Sequence, residues 1–129
     1  MILAGAGQLA LALASLAIPA LLRWREDTAR LTPLTRKVFW VYAVYILGTN
    51  VALGAVSVLL PAHLLDGSAL ARAVCGYGAL YWGGRVVVQF TVFHRERPPG
   101  AHFAVAETAM ALLFVYLTIV YGGVALALL

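Results

Sequence analysis

Charge is scarce in this sequence: Asp, Glu, Lys and Arg together make up 11% of 129 residues, where a soluble domain carries about 25%. Cysteine is scarcer still. Cys75 is the only one, which excludes an intrachain disulfide framework, a four-cysteine zinc site and paired-thiol redox chemistry within one chain. No nucleophile–histidine–acid set, phosphate-binding lysine loop or carboxylate pair is present, so the sequence names neither a reaction nor a cofactor.

What fills the chain instead is apolar. Hydrophobic residues reach 64% and the mean hydropathy is +0.95. A surface of that composition would aggregate in water, which places the chain in the membrane class. Nine Lys+Arg stand against five Asp+Glu. In a soluble protein that surplus would suggest nucleic acid. Here the basic residues gather between apolar runs, where orientation and anionic lipid headgroups explain them without it.

Four runs are long enough to cross a bilayer as helices, at residues 2–22, 38–60, 69–93 and 103–127. Each approaches or exceeds the roughly 20 residues that span the hydrocarbon core. Backbone groups in lipid must bond internally, so such runs are helical. Barrel strands would be shorter and would alternate in polarity. The expected fold is all-α: an integral membrane four-helix up-down antiparallel bundle, with residues 1–129 as a single transmembrane unit.

The first run resembles a signal peptide, but no Lys or Arg precedes it. The basic cluster Arg23-Trp24-Arg25 follows it instead, so it is expected to remain as a real helix and to continue through Trp24 toward Arg30. Thr32-Pro33 reads as a cap and first-turn proline for the second helix. Pro61 closes that helix, and Asp66-Gly67-Ser68 is a turn with Asp66 or Ser68 capping the third. Pro98-Pro99-Gly100 breaks the chain before the fourth. The residue 23–37 loop holds Arg23, Arg25, Arg30, Arg36 and Lys37, and the 94–102 loop holds Arg95 and Arg97. The positive-inside rule puts both loops in the cytoplasm and both termini on the opposite side. Trp24, Phe39 and Trp40 then form an inner aromatic belt.

Helices in lipid associate through close packing and polar contacts. Expected seams are Gly7, Ala10, Ala14 and Ala17 on the first helix, Gly48 and Ala52 on the second, and Cys75, Ala79 and Gly83 on the third. They serve packing within the chain or a homo-oligomer. Gln8 is expected to be interhelical glue.

Arg85 is the most conspicuous polar residue. An arginine at the centre of a span costs about 2.5–3.5 kcal/mol on insertion scales. Glu107 on the fourth helix, entering from the same face, is the expected partner, and Gln89 lies one turn from Arg85. The set is either an ion pair pinning two helices or a site for an anion, headgroup or proton. Tyr81 and Trp82 occupy turns beside Arg85, while Tyr42, Tyr45 and Thr49 stripe the second helix with Asn50 alongside. If these faces converge, they make a polar, aromatic interior suited to a lipid or quinone head. His94 and His102 are weak metal candidates, with Glu96 or Glu107, because their spacing matches no established ligand pattern; otherwise no metal site is expected.

Two motifs are false. Gly5-Ala6-Gly7-Gln8-Leu9-Ala10 has the dinucleotide spacing but no preceding strand. Val74-Cys75-Gly76-Tyr77-Gly78 resembles a potassium filter but leaves too little chain to recross the membrane. In length and span count the chain is similar to small multidrug transporters, yet its first apolar run lacks the glutamate they carry there. Three functions remain in view. One is a non-catalytic accessory or self-associating subunit, which the absence of chemistry favours. The others are a small oligomeric transporter or channel, and a lipid- or quinone-handling protein with or without enzymatic activity.

Overall fold

A computed structural model describes residues 1–93 and 100–127. Every regular element among the described residues is helical: α1 (Ile2–Ser15), α2 (Ile18–Leu21), α3 (Trp24–Thr28), α4 (Pro33–Leu59), α5 (Pro61–Leu64), α6 (Ala69–Val88) and α7 (Ala101–Ala125). Alanine and leucine, the strongest helix formers, dominate α1 and recur throughout α7. Among the described residues, two helices, Pro33–Leu59 and Phe103–Ala125, are long and apolar enough to cross a membrane. α1 is too short at 14 residues. α6 is diluted by Arg72, Arg85 and four glycines.

The first apolar run is not one helix, contrary to expectation. Ser15 donates its hydroxyl to the Ala12 carbonyl at 2.7 Å, and Leu16 and Ala17 close tight i→i+3 turns. Pro19, in the first turn of α2, has no N–H to continue the ladder. Nor does the helix run on through Trp24. Arg23 is left-handed at φ 55°, ψ 47°, a conformation that costs a non-glycine residue roughly 1 kcal/mol, and a separate short helix, α3, follows.

The expected caps are present. Thr35 donates its backbone N–H to Thr32 Oγ1 at 3.4 Å ahead of α4. Ala71 does the same to Ser68 Oγ at 3.1 Å at the start of α6. A serine cap of this kind is worth about 1 kcal/mol. Gly67, at φ +75°, lets the Ser68 N–H reach Asp66 Oδ1 at 2.8 Å. That bond, with the Ser68 hydroxyl, holds the Asp66 carboxyl below its usual range. Pro61 does end α4, and it also opens α5.

The chain divides into two compact units, Ile2–Leu59 and Leu60–Leu129 with Met1. In the first, α1 packs on α4. A Cβ at Gly5 would lie 2.7 Å from the Gly54 carbonyl oxygen, and one at Gly54 would lie 3.1 Å from Gln8 Cβ. Glycine at both crossing points brings the backbones this close. The α1 seam is Ala4, Gly5, Gln8 and Ala12, rather than the Gly7–Ala10–Ala14–Ala17 stripe. The α4 seam is Asn50, Leu53, Gly54 and Ser57, rather than Gly48 and Ala52, which are exposed. Gln8 is fully buried at the crossing, and it donates Nε2–H to the Ala4 carbonyl of its own helix at 3.4 Å.

In the second unit, α6 packs antiparallel on α7. The Tyr121 ring fills the space above Gly78, where a Cβ would sit 2.9 Å from Cγ. Gly83 faces Thr118, and Gly122 faces Ala79. Cys75 is buried, so the Cys75–Ala79–Gly83 stripe does line this seam. Arg72 donates Nε–H to the Ala125 carbonyl at 3.0 Å, satisfying the C-terminal end of α7 with a cation.

Candidate functional site

α6 turns Ala71, Cys75, Gly78 and Trp82 inward, and Arg85 and Gln89 continue the same i+3/i+4 row. α7 answers with Glu107, Ala111, Phe114, Leu117 and Tyr121, all buried. Arg85 and Glu107 therefore both lie on the faces through which these two helices meet. Trp82 stacks on Phe114 with centroids 5.4 Å apart and planes 21° apart. The Arg85 guanidinium sits 5.2 Å from the centroid of the same ring, within reach of a cation–π attraction. Tyr81 meets the edge of Trp82 at 5.0 Å, and Tyr77 lies 6.2 Å from Tyr81.

The antiparallel register can be read from Gly78 opposite Tyr121, Gly83 opposite Thr118 and Arg85 opposite Phe114. Carried seven residues along α7 from Phe114, it sets the backbone of Glu107 about 10 Å from the level of Arg85 along the helix axes, at 1.5 Å per residue, with Gln89 in the interval. The result is a polar row, Arg85–Gln89–Glu107, running down from an aromatic stack. At Gln89 the helix widens into a single π turn, Gln89–Phe93, a distortion that recurs at functional sites.

Tyr45 and Asn50 belong to the other unit and behave differently from each other. Asn50 is buried on the α1–α4 seam. Tyr45 is 70% exposed, which corrects its expected place in an interior. Five residues separate the two, about 140° around a helix, so a face that buries Asn50 turns Tyr45 outward. Tyr42 is exposed as well. His94 lies outside the described residues, as does the side chain of His102. Among the described residues, no group of three or more His, Cys, Asp or Glu is placed to hold a metal.

Phe114 was not singled out from the sequence, although it lies two turns beyond Glu107 on the same face. Thr28 is the other omission. Buried at the end of α3, it donates to the Trp24 carbonyl at 2.6 Å and accepts the Trp40 indole N–H at 3.3 Å. Around it, Trp24, Phe39 and Trp40 make three mutual edge-to-face contacts at 5.0, 6.1 and 5.7 Å. The expected aromatic belt is thus one cluster.

Compared with known proteins, the chain matches no family model, no curated protein and no solved structure. Two apolar helices and an all-helical architecture define it as a helical protein with a weak signature of membrane association.

Proposed function

We propose that this chain is a multi-pass membrane protein that works as a non-catalytic subunit, associating with copies of itself or with a membrane partner. Four segments cross the bilayer in this reading: α1 with α2, α4, α6 with its π turn, and α7. Loops 23–37 and 94–102 are cytoplasmic and both termini lie opposite. The lipid bilayer is the solvent and nucleic acid is not a partner.

The distribution of residues carries the reading. In the unit of α1 and α4 the seam is small or polar, with Gly5, Gln8, Gly54 and Ser57, while large apolar side chains face out in both units, Leu59 at 75% and Leu80 at 79% exposure. That inverts a water-soluble core and suits helices solvated by lipid. On the outer faces, Gly48, Gly76 and Gly84 have nothing within 4 Å of where a Cβ would stand. Open glycines flanked by exposed Tyr45 and Tyr77 suit close approach of a further helix.

Native mass spectrometry from detergent tests this. The expected particle is a dimer or larger, or a stoichiometric complex with another membrane protein. Gly48→Leu with Gly84→Leu is expected to shift it to monomer without loss of helicity, because a Cβ at either position has nothing within 4 Å. A wild-type particle that is monomeric and partnerless contradicts the proposal.

A second reading is favoured by the π turn beside a half-buried arginine. The Trp82–Phe114–Arg85 stack with Gln89 and Glu107 would then bind the head of an anionic lipid or quinone, or gate a small transported anion. Co-purified ligand lost in Arg85→Ala, or flux in liposomes lost in Glu107→Gln, supports it.

A further inference from the structure

We infer that the basic end of α4 holds one anionic phospholipid, its phosphate on Arg36 and Lys37 and an acyl chain in the groove below them. The inference rests on the membrane-spanning reading above. An open groove on α4 is lined by Trp40, Val41, Val44 and Tyr45. Counting from Lys37, Val41, Val44 and Tyr45 fall at i+4, i+7 and i+8, so the groove runs down the helix face that Lys37 heads. Trp40 lies one turn below Arg36. Lys37 is exposed and Arg36 half-buried. A cation pair above a shallow apolar groove has the polarity of a lipid: charged head, then chain. Val44 and Tyr45 are mostly exposed, so the side chains of residues 2–59 leave the groove open.

The upper wall of that groove is held rigidly. Trp40 packs edge-on against both Trp24 and Phe39, and its indole N–H is engaged by Thr28. A wall fixed before binding loses little freedom when a ligand seats. The charge also selects the head. Residues 23–37 hold five cations against Glu26 and Asp27, a surplus of three positive charges. The Arg23–Glu26 pair, at 3.9 Å between exposed side chains, neutralises little of it. A zwitterionic choline head would bring its own cation to this field, whereas a glycerol or serine phosphatide brings net negative charge.

The test uses the delipidated full chain in detergent, titrated with phosphatidylglycerol or phosphatidylcholine of matched chains and read by native mass spectrometry. One phosphatidylglycerol is expected to be retained in preference to phosphatidylcholine. Arg36→Gln with Lys37→Gln is expected to weaken it about fivefold per charge removed, and Arg36→Lys with Lys37→Arg to leave it unchanged. Val44→Trp, which fills the groove and keeps the charge, is expected to weaken both lipids. Equal binding of the two lipids overturns the inference, as does a preference that survives the double glutamine variant. A Val44→Trp chain that changes oligomeric mass but not lipid retention also overturns it, and assigns the groove to a protein contact. Flotation with pure phosphatidylcholine vesicles separates the two proposals. A chain that floats without lipid preference loses only this site, and a chain that fails to float loses the membrane reading too.

Discussion

Gly5→Val is expected to separate α1 from α4, with a loss of about 3 kcal/mol, the upper part of the range for overpacking a tight contact. The new Cβ would stand 2.7 Å from the Gly54 carbonyl oxygen, 2.7 Å from Val58 Cγ2 and 2.9 Å from Ser57 Cβ. Of these atoms only Val58 Cγ2 moves with a rotamer, since Ser57 Cβ is fixed to its own backbone. The carbonyl oxygen belongs to backbone, and only movement of a whole helix relieves it. Such movement withdraws the dispersion contacts that hold helices together in lipid, where the hydrophobic drive is weak. Gly122→Ala is the matched control. Its Cβ would stand 3.7 Å from Ala79 Cβ, an ordinary contact, and it is expected to gain about 0.5–1 kcal/mol from helix propensity. SDS-induced unfolding in mixed micelles, followed by tryptophan fluorescence, reads both. Equal midpoints for the two variants contradict the crossing at Gly5 and Gly54.

The second large effect is expected at Phe114. Truncation to alanine removes the ring stacked on Trp82 and facing Arg85. A fully buried phenylalanine cut to alanine loses about 3–5 kcal/mol, a figure that includes the cavity left between α6 and α7. Phe114→Leu keeps most of the volume and loses the π face, so its smaller loss isolates the aromatic part. A double-mutant cycle of Phe114→Leu with Arg85→Met is expected to show coupling of about 0.5–2 kcal/mol, as a cation–π contact removed from water would. The same unfolding assay reports it, with near-ultraviolet circular dichroism following the Trp82 environment. Additive single effects, or a Phe114→Ala chain of wild-type stability, contradict the stack.

Much of this arrangement was readable in advance. Apolar runs mark helices because bilayer and backbone leave one choice, and Thr32 and Ser68 mark where α4 and α6 begin. Trp24, Phe39 and Trp40 were expected at one level and form one cluster. What eluded the sequence was which face of each helix turns inward. α1 is alanine, leucine and glycine all round, so hydrophobic periodicity carries no contrast. The choice of Gly5 over Gly7 is made by the shape of α4. The usable signal was the few polar residues: Gln8 lies on the α1 seam, and Asn50 and Ser57 lie on the α4 seam. Tyr45, amphipathic and five residues from Asn50, was assigned inward on its hydroxyl when helix geometry sends it out. The breaks at residues 16–17 and at Arg23 were missed because Pro19 sat inside an apolar run that composition alone read as continuous.

Arg85 and Glu107 show the same limit from the other side. Spacing along α6 and α7 placed both on facing rows. The axial offset between them followed only from the contacts of Gly78 with Tyr121 and of Arg85 with Phe114. Gln89 and the π turn that begins with it occupy that interval, and no local residue pattern announces a π turn.

Cysteine accessibility tests the central claim, that this chain is threaded through a membrane with loops 23–37 and 94–102 on one side. In a Cys75→Ala background, single cysteines at Arg30, Leu65 and Ala101 are treated with a membrane-impermeant maleimide in right-side-out and inverted vesicles. Arg30→Cys and Ala101→Cys are expected to label only in inverted vesicles and Leu65→Cys only in right-side-out ones. Labelling of all three from the same side contradicts that claim.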